Sequence, residues 1–500
     1  MNLVQYSYGF GGEYCRPDAV MSGGKGSGTA SFSFDASESV PLNSEAIMNV
    51  RTMVIGYRDE LVNRLGELVA INSTEGQPEE GAPFGKGPRD VLHAALGMLE
   101  QDGFKTVNLD NYCGYAEIGE GNELIGVIGH LDVVPANRED GWDTDPFVMT
   151  EKDGILYGRG VNDDKGAVVA SMMALKVLRD LNVPLNKRIR LIMGTNEETG
   201  SQCLKYYVDH EGHVDYGFTP DGDFPGVHGE KGMLGGEFRC DRTNILDIRG
   251  GTARNIVCAR CTAKVPKTCY SSKKFGDWLH NLNIEFDVTE EDGINTITVY
   301  GKAAHASTPE LGINAISCLL VALKEAGMQD PFVDFYCSHF GLATDGAGLN
   351  AKLEDEFGVL TLNVGMISMK DGVITGTIDI RSPVTMSTKS VLKAMTGRLE
   401  DENGVIELHR HAEPLYFPID SLLVSSLLSA YQEVTGDTNS RPMTMGGGTY
   451  AKGINNTIAF GCSFPGKDYH IHDANECVGV DELLLQTEIY VHALLKLLEI

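Results

Sequence analysis

Positive charge is scarce in this 500-residue chain. It has 41 lysines and arginines against 70 aspartates and glutamates, a formal net charge of -29. A nucleic acid or an anionic membrane needs a basic face, so neither is an expected partner. The acidity is that of a solvated surface. Long apolar runs are missing as well. None approaches the ~18 residues of a membrane helix. The N-terminus lacks a basic region followed by an apolar one, so it shows no secretory signal. Cysteine supplies no disulfide framework either. The 11 cysteines are odd in number and scattered, as expected of free thiols in a reducing compartment such as the cytoplasm. Cys258 and Cys261 form a lone CxxC without the second ligand pair of a zinc site. They are expected to be buried strand thiols.

What the chain has is apolar residue, 42% of the total and enough for a large core. Its length favours more than one domain. One stretch organises the rest, LYGRGVNDDKG at residues 156–166. A glycine-rich turn leads into two aspartates and a lysine, and residues 167–181 have the pattern of a long helix. Adjacent carboxylates at the mouth of a helix suit a divalent cation, because the glycines let the backbone come close. Upstream, LIGVIGHLDVVP (124–135) is an apolar strand ending in His130 and Asp132. Downstream, RIRLIMGTNEETGS (188–201) is another, ending in Glu197 and Glu198. In open α/β sheets ligands bind where the strands end. A carboxylate-rich metal site is expected there.

In chain order, residues 1–43 are rich in Gly and Ser with little periodicity, and a flexible N-terminal extension is expected. From Ser44, apolar residues recur at helical spacing to residue 71, and a second helix is expected over 87–102. Strands and helices then alternate to Gly194, which predicts an α/β sheet with helices on both faces. Near Gly229 the pattern turns β-rich, with amphipathic helices at 271–282, 314–327 and 387–399. Lys370, Asp371 and Gly372 mark a turn between two alternating strands. After about residue 413 the earlier style returns, with helices at 421–436 and 480–499. The fold class expected is α/β, a mixed sheet flanked by helices. Its domain, 44–230 and 413–500, is discontinuous, and an α+β domain at 231–412 is inserted into it.

Taken together, the motifs resemble one family. HLDVVP, GRGVNDDKG, NEETGS, GKAAHASTPELGINA and HDANE occur in the order seen in the dinuclear zinc exopeptidases and deacylases. These include carboxypeptidase G, acetylornithine deacetylase and the PepV-type dipeptidases. The likeness covers residues 44–500. TMGGGTYAKG and FGCSFPGKD place the chain nearest the PepV type. The fold this implies is a zinc-exopeptidase-like domain with the insertion as a lid.

The resemblance implies that His130, Asp163 and Asp221 hold one zinc, and that Asp163, Glu198 and His472 hold the other. Cobalt or manganese are possible substitutes. Asp163 would bridge, and the three carboxylates would leave the ion pair one net positive charge. Asp132 would orient the ring of His130. Glu197 would be the general base, and His305 would help to hold the oxyanion. Asn255, Arg381, Gly447 and Gly448 would contact substrate, Arg381 through its terminal carboxylate. The usual lid phrase carries a tyrosine or similar residue after DIR, where this chain has Ser382. That departure leaves the substrate pocket open to difference. The enlarged lid implies a monomer whose site is complete within one chain. The activity implied is hydrolysis of dipeptides with a free N-terminus. Removal of an acyl group from an amino acid is the alternative, since the metals and base are the same. A family member that has lost activity is disfavoured by the intact Glu197 and ligand set.

Overall fold

Strands Leu124–His130, Arg188–Gly194, Tyr216–Thr219 and Thr457–Ala459 run parallel at the centre of the first of two large sheets in a computed structural model. The structure describes residues 44–500, and the extension expected over 1–43 lies outside the described residues. Leu124–His130 has neighbours on both sides, and all seven of its residues are buried. That burial explains its unbroken apolar run. Antiparallel strands Lys105–Leu109, Cys113–Ile118, Val227–Glu230 and Leu415–Tyr416 complete the sheet outward, with Met443–Met445 added beside Val227–Glu230. Strands from both ends of the chain thus share one sheet.

Helices cover both faces. Lys165–Asp180 and Val480–Glu499 pack on each other and on Leu124–His130. On the opposite face, Cys203, Leu204 and Tyr207 of helix Gln202–Glu211 meet Cys113, Tyr115, Ile128 and Ile192. Gly129 sits where the strand meets the first helix. A Cβ there would stand 2.6 Å from Val168 Cγ2 and 2.7 Å from Asp164 Oδ2. Only glycine lets the mouth of that helix reach the strand end.

The helical pattern expected from Ser44 to residue 71 is two helices, Ser44–Gly56 and Arg58–Val69, with Tyr57 at φ -92 and ψ 6 between them. Gly56, a weak helix former, precedes the break. The Tyr57 hydroxyl there donates to Asp180 of the neighbouring helix. The later helices lie within a few residues of expectation, at Lys86–Gln101, Ser272–Asn281, Ala315–Glu325, Thr388–Met395 and Leu422–Thr435.

The second sheet has eight strands, all between residues 232 and 412. Strands Thr361–Lys370 and Val373–Ser382 form its central hairpin. Asp371 and Gly372 turn it with φ 52 and 78, the left-handed pair that a two-residue hairpin needs. Phe238 anchors the core beneath, with its ring against Phe332, Phe335, Tyr336 and Phe340. Helix Pro331–His339, which supplies three of these rings, starts under an Asp330 cap that accepts the Val333 N–H. Cys258 and Cys261 are buried in this layer. The chain leaves the first sheet at Glu230 and enters the second at Gly232. This inserted layer is the lid.

Candidate active site

Three neighbouring parallel strands deliver four of the expected side chains to one edge. His130 ends Leu124–His130 and lies in register with Gly194. Glu197 and Glu198 follow that glycine, and Asp221 follows Tyr216–Thr219. Asp163 comes from the mouth of helix Lys165–Asp180, which Gly129 admits. His472 arrives on the loop after Thr457–Ala459.

The five candidate ligands meet in two overlapping groups that share Asp163. His130 Nε2 stands 3.0 Å from Asp163 Oδ1 and 3.9 Å from Asp221 Oδ2. His472 Nε2 stands 3.0 Å from Asp163 Oδ2 and 3.1 Å from Glu198 Oε1. The two oxygens of Asp163 thus face different imidazoles. An ion held at ~2.0–2.2 Å in a tetrahedron keeps its donors about 3.3–3.6 Å apart. The observed spacings bracket that range, so the donor set fits two ions.

The electrostatics agree. Burial works against charge on His130, but the carboxylates of Asp163 and Asp132 hold its pKa well above the ordinary value. On half-exposed His472 the same contest, with Asp163 and Glu198 opposing burial, raises the pKa to about 11. Burial, then Asp163, raises Asp221 to about 7. Negative potential is concentrated between these groups, and a divalent cation would relieve it.

Asp132 differs in detail from expectation. Its carboxylate accepts the N–H of Glu197 at 3.0 Å and of Glu198 at 3.1 Å. The Nδ1 of His130 pairs at 3.0 Å with the Asp132 backbone carbonyl, while the nearest carboxylate oxygen is 3.6 Å away. The two-residue spacing puts the carbonyl closer to the ring than the side chain. The carboxylate therefore ties the glutamate loop to the histidine strand. Half-buried Glu197 has its pKa raised well above the ordinary range, first by burial and then by Asp221.

The lid supplies the opposite wall. Asn255, His305 and Arg381 line one cavity of about 1000 Å³ together with Asp163, Glu197, Glu198, Asp221, His472 and the Gly446–Gly448 loop. His305 Nδ1 pairs with Ser307 Oγ at 2.7 Å. A Cβ on Gly446 would meet Ser307 Cβ at 2.3 Å, so the glycine lets the two loops touch. Arg381 lies on a central lid strand and is buried. Its Nε and Nη2 donate to Asp379 at 2.6 and 3.1 Å, and Nη1 donates to the Gly446 carbonyl at 3.1 Å. Ser382 is fully buried and hydrogen-bonds the Met386 carbonyl. Ser382 itself does not line the cavity, which its neighbour Arg381 does.

Three further residues join the site without having been singled out. Lys452 lines the cavity beside Gly448, its pKa lowered to about 8 by burial against the pull of Glu230. Tyr450 stacks edge-on against His130 with ring centroids 6.2 Å apart. Glu476 lies buried behind the Asp163 loop. Lys452 and Tyr450 sit in TYAKG and Glu476 ends HDANE, so their motifs were the available signal.

Residues 126–496 match the family description Peptidase family M20/M25/M40. The chain belongs to that family. It is therefore a hydrolase of the metal-dependent M20 peptidases, as its motifs imply. The protein named "Putative dipeptidase YtjP" from Bacillus subtilis (strain 168) is 35% identical over 467 residues, covering 90% of this chain and 100% of that one. The fold is similar to human carnosine dipeptidase 1 (TM-score 0.56, 19% identity, 91% of this chain and 99% of that one). It is also similar to the di-peptidase Dug1p of Saccharomyces cerevisiae (TM-score 0.55, 15% identity, 92% and 100%). These M20 structures share the mixed sheet and the lid. Among the described residues, no helix is long and apolar enough to cross a membrane.

Proposed function

We propose that this M20 peptidase is a dipeptidase that cleaves dipeptides with a free N-terminus at a dinuclear metal site. The observation that carries the reading is the placing of Asp163 Oδ1 and Oδ2, each 3.0 Å from a different imidazole. His130, Asp163 and Asp221 would hold one ion, and Asp163, Glu198 and His472 the other. Zinc suits these nitrogen and oxygen donors, with cobalt or manganese as substitutes. Bound there, two such ions would polarise the scissile carbonyl and lower the pKa of a water.

The protein's own groups do the rest. Glu197 takes a proton from the attacking water and returns it to the leaving amine. His305, across the cavity, stabilises the developing oxyanion. Arg381 and the backbone of Gly447 and Gly448 receive the terminal carboxylate, and Asn255 contacts the substrate from the lid. Asp379 holds the guanidinium in place at two points.

The catalytic domain, in this reading, is 44–230 with 413–500, and the lid is 231–412. The dipeptidase names of relatives favour peptide over acyl-amino-acid substrates. Ten cysteines in the described residues are free thiols, which suits a reducing cytoplasm. A net charge of -29 disfavours a nucleic acid as partner, and a small peptide is the partner in this reading.

A substrate panel tests the proposal. Free dipeptides should be hydrolysed at least ~10-fold faster than N-acetyl or N-succinyl amino acids. Dipeptides amidated at the C-terminus should lose about 10–100-fold in kcat/KM, the worth of one charge-assisted hydrogen-bonded contact. Faster turnover of the acylated substrates would make the enzyme a deacylase. Assembly has its own test. His305 lines the same cavity as the ligands of its own chain, so we take the monomer to be the active form. Mixing inactive His305→Ala and Asp163→Ala proteins should then regenerate no activity, and recovered turnover would show a site shared between chains.

A further inference from the structure

Glu476 is buried, and its carboxylate accepts four hydrogen bonds. Oε1 takes the N–H of Asn162 at 2.9 Å and of Asp163 at 3.1 Å. Oε2 takes the Gly160 N–H at 2.9 Å and Arg159 Nη1 at 2.7 Å. The backbone carbonyl of Glu476 accepts the Gly158 N–H at 3.1 Å. Arg159 Nη2 reaches back to the Asp473 carbonyl at 3.2 Å. Cys477 pairs with Tyr157 across a small antiparallel sheet. Two segments 313 residues apart are thus joined through one side chain and the strand pair beside it.

One segment delivers Asp163 and the other delivers His472. Neither position is guaranteed locally. His470, His472 and Asn475 have φ of 53, 64 and 63, a left-handed region that costs a residue with a Cβ roughly 1–2 kcal/mol. Such a loop persists only where its surroundings hold it. Glu476 is the side chain of that loop anchored into the opposing turn. Charge-assisted bonds to backbone N–H groups are strong where water is excluded.

We propose that Glu476 is a positioning residue for the metal pair. It holds the Asp163 carboxylate and the His472 imidazole at the separation that lets both serve one ion. This rests on the dinuclear reading above. Supporting groups of this kind are worth 10–100-fold in metal affinity. The loss should be greatest for the ion between Asp163, Glu198 and His472, which draws on both joined segments. The other ion shares only Asp163 with them, and its His130 and Asp221 follow strands of the first sheet.

The test is metal binding to Glu476→Gln by calorimetry or chelator competition, with the wild type alongside. Glutamine keeps the size but turns an NH2 group toward Gly160 N–H and Arg159, where only donors wait. The wild type should bind two ions, and the variant should hold one of them at least ~10-fold more weakly. At limiting metal its kcat should fall, KM should stay within about twofold, and excess metal should restore kcat. A merely structural strut would lower the melting temperature without that rescue. If the single variant does not fold, Arg159→Met with Glu476→Gln removes the charge from both partners and takes its place. Wild-type affinity for both ions in the folded variant would overturn the proposal. Fewer than two ions in the wild type would overturn the dinuclear reading itself, and this inference with it.

Discussion

Replacing Glu197 with Gln should leave both metals bound while kcat falls by ~10²–10⁴-fold or more, the range for lost general acid–base catalysis. The glutamine keeps the size and hydrogen bonding of the side chain but cannot take a proton. One residue is proposed to serve both proton transfers, so the loss should lie at the upper end. KM should change little, because the group acts in the transition state. The neighbouring change, Glu198→Gln, should behave differently. It removes a carboxylate 3.1 Å from His472 Nε2, so metal content and rate should fall together. Metal analysis of the purified variants beside steady-state kinetics checks both. If Glu197→Gln lost an ion and Glu198→Gln kept two, the roles would be reversed. Asp132 makes this comparison clean. It fixes the backbone N–H groups of both glutamates, so neither substitution should release the loop.

Chelation should abolish activity, and zinc, cobalt or manganese should restore it. The same treatment should lower the melting temperature. An ion present at about 1,000 times its dissociation constant stabilises the folded chain by ~4 kcal/mol per site. Without ions, Asp163, Glu198 and Asp221 are held together with only His130 and His472 to balance them. A calorimetric scan with and without chelator reads the stability, and an assay of the same samples reads the activity. Full activity in metal-free protein would sink the dinuclear reading. A drop in melting temperature reversed by zinc but not by magnesium would support the nitrogen-containing donor set, since magnesium prefers oxygen ligands.

The legible parts of the molecule were those whose signals are local. The hairpin at Lys370–Gly372 showed in a turn dipeptide between alternating strands, and Asp371 and Gly372 take the left-handed φ that such a turn requires. Helices Lys86–Gln101 and Val480–Glu499 showed in their apolar spacing. The ends of Leu124–His130 and Arg188–Gly194 showed because the buried stretches before them, residues 124–129 and 191–194, are free of charge until the chain leaves the core. Candidate ligands placed just beyond such ends share one edge of the sheet whenever the strands are parallel neighbours. The break at Tyr57 was not legible. Spacing alone carries the pattern straight through Gly56, and the hydroxyl contact with Asp180 belongs to a helix 123 residues away.

The sequence by itself determined the family, the α/β class with its inserted lid, and the residues to examine at the site. Each of those rests on short motifs and on periodicity, which act over a few residues and survive in any description of the chain. Tertiary structure alone decided who faces whom. It gave the imidazole of His130 to a backbone carbonyl and the carboxylate of Asp132 to two glutamate amides. It set the Arg381 guanidinium against the Gly446 carbonyl, 65 residues away. It buried Ser382 away from the cavity and brought Lys452 into it. It also drove Glu476 into the turn that presents Asp163. A partner for a buried polar group is chosen by which atoms packing leaves within about 3 Å. For Asp132, Arg381 and Glu476 that choice is settled only when segments from 65 to 313 residues apart have closed on one another.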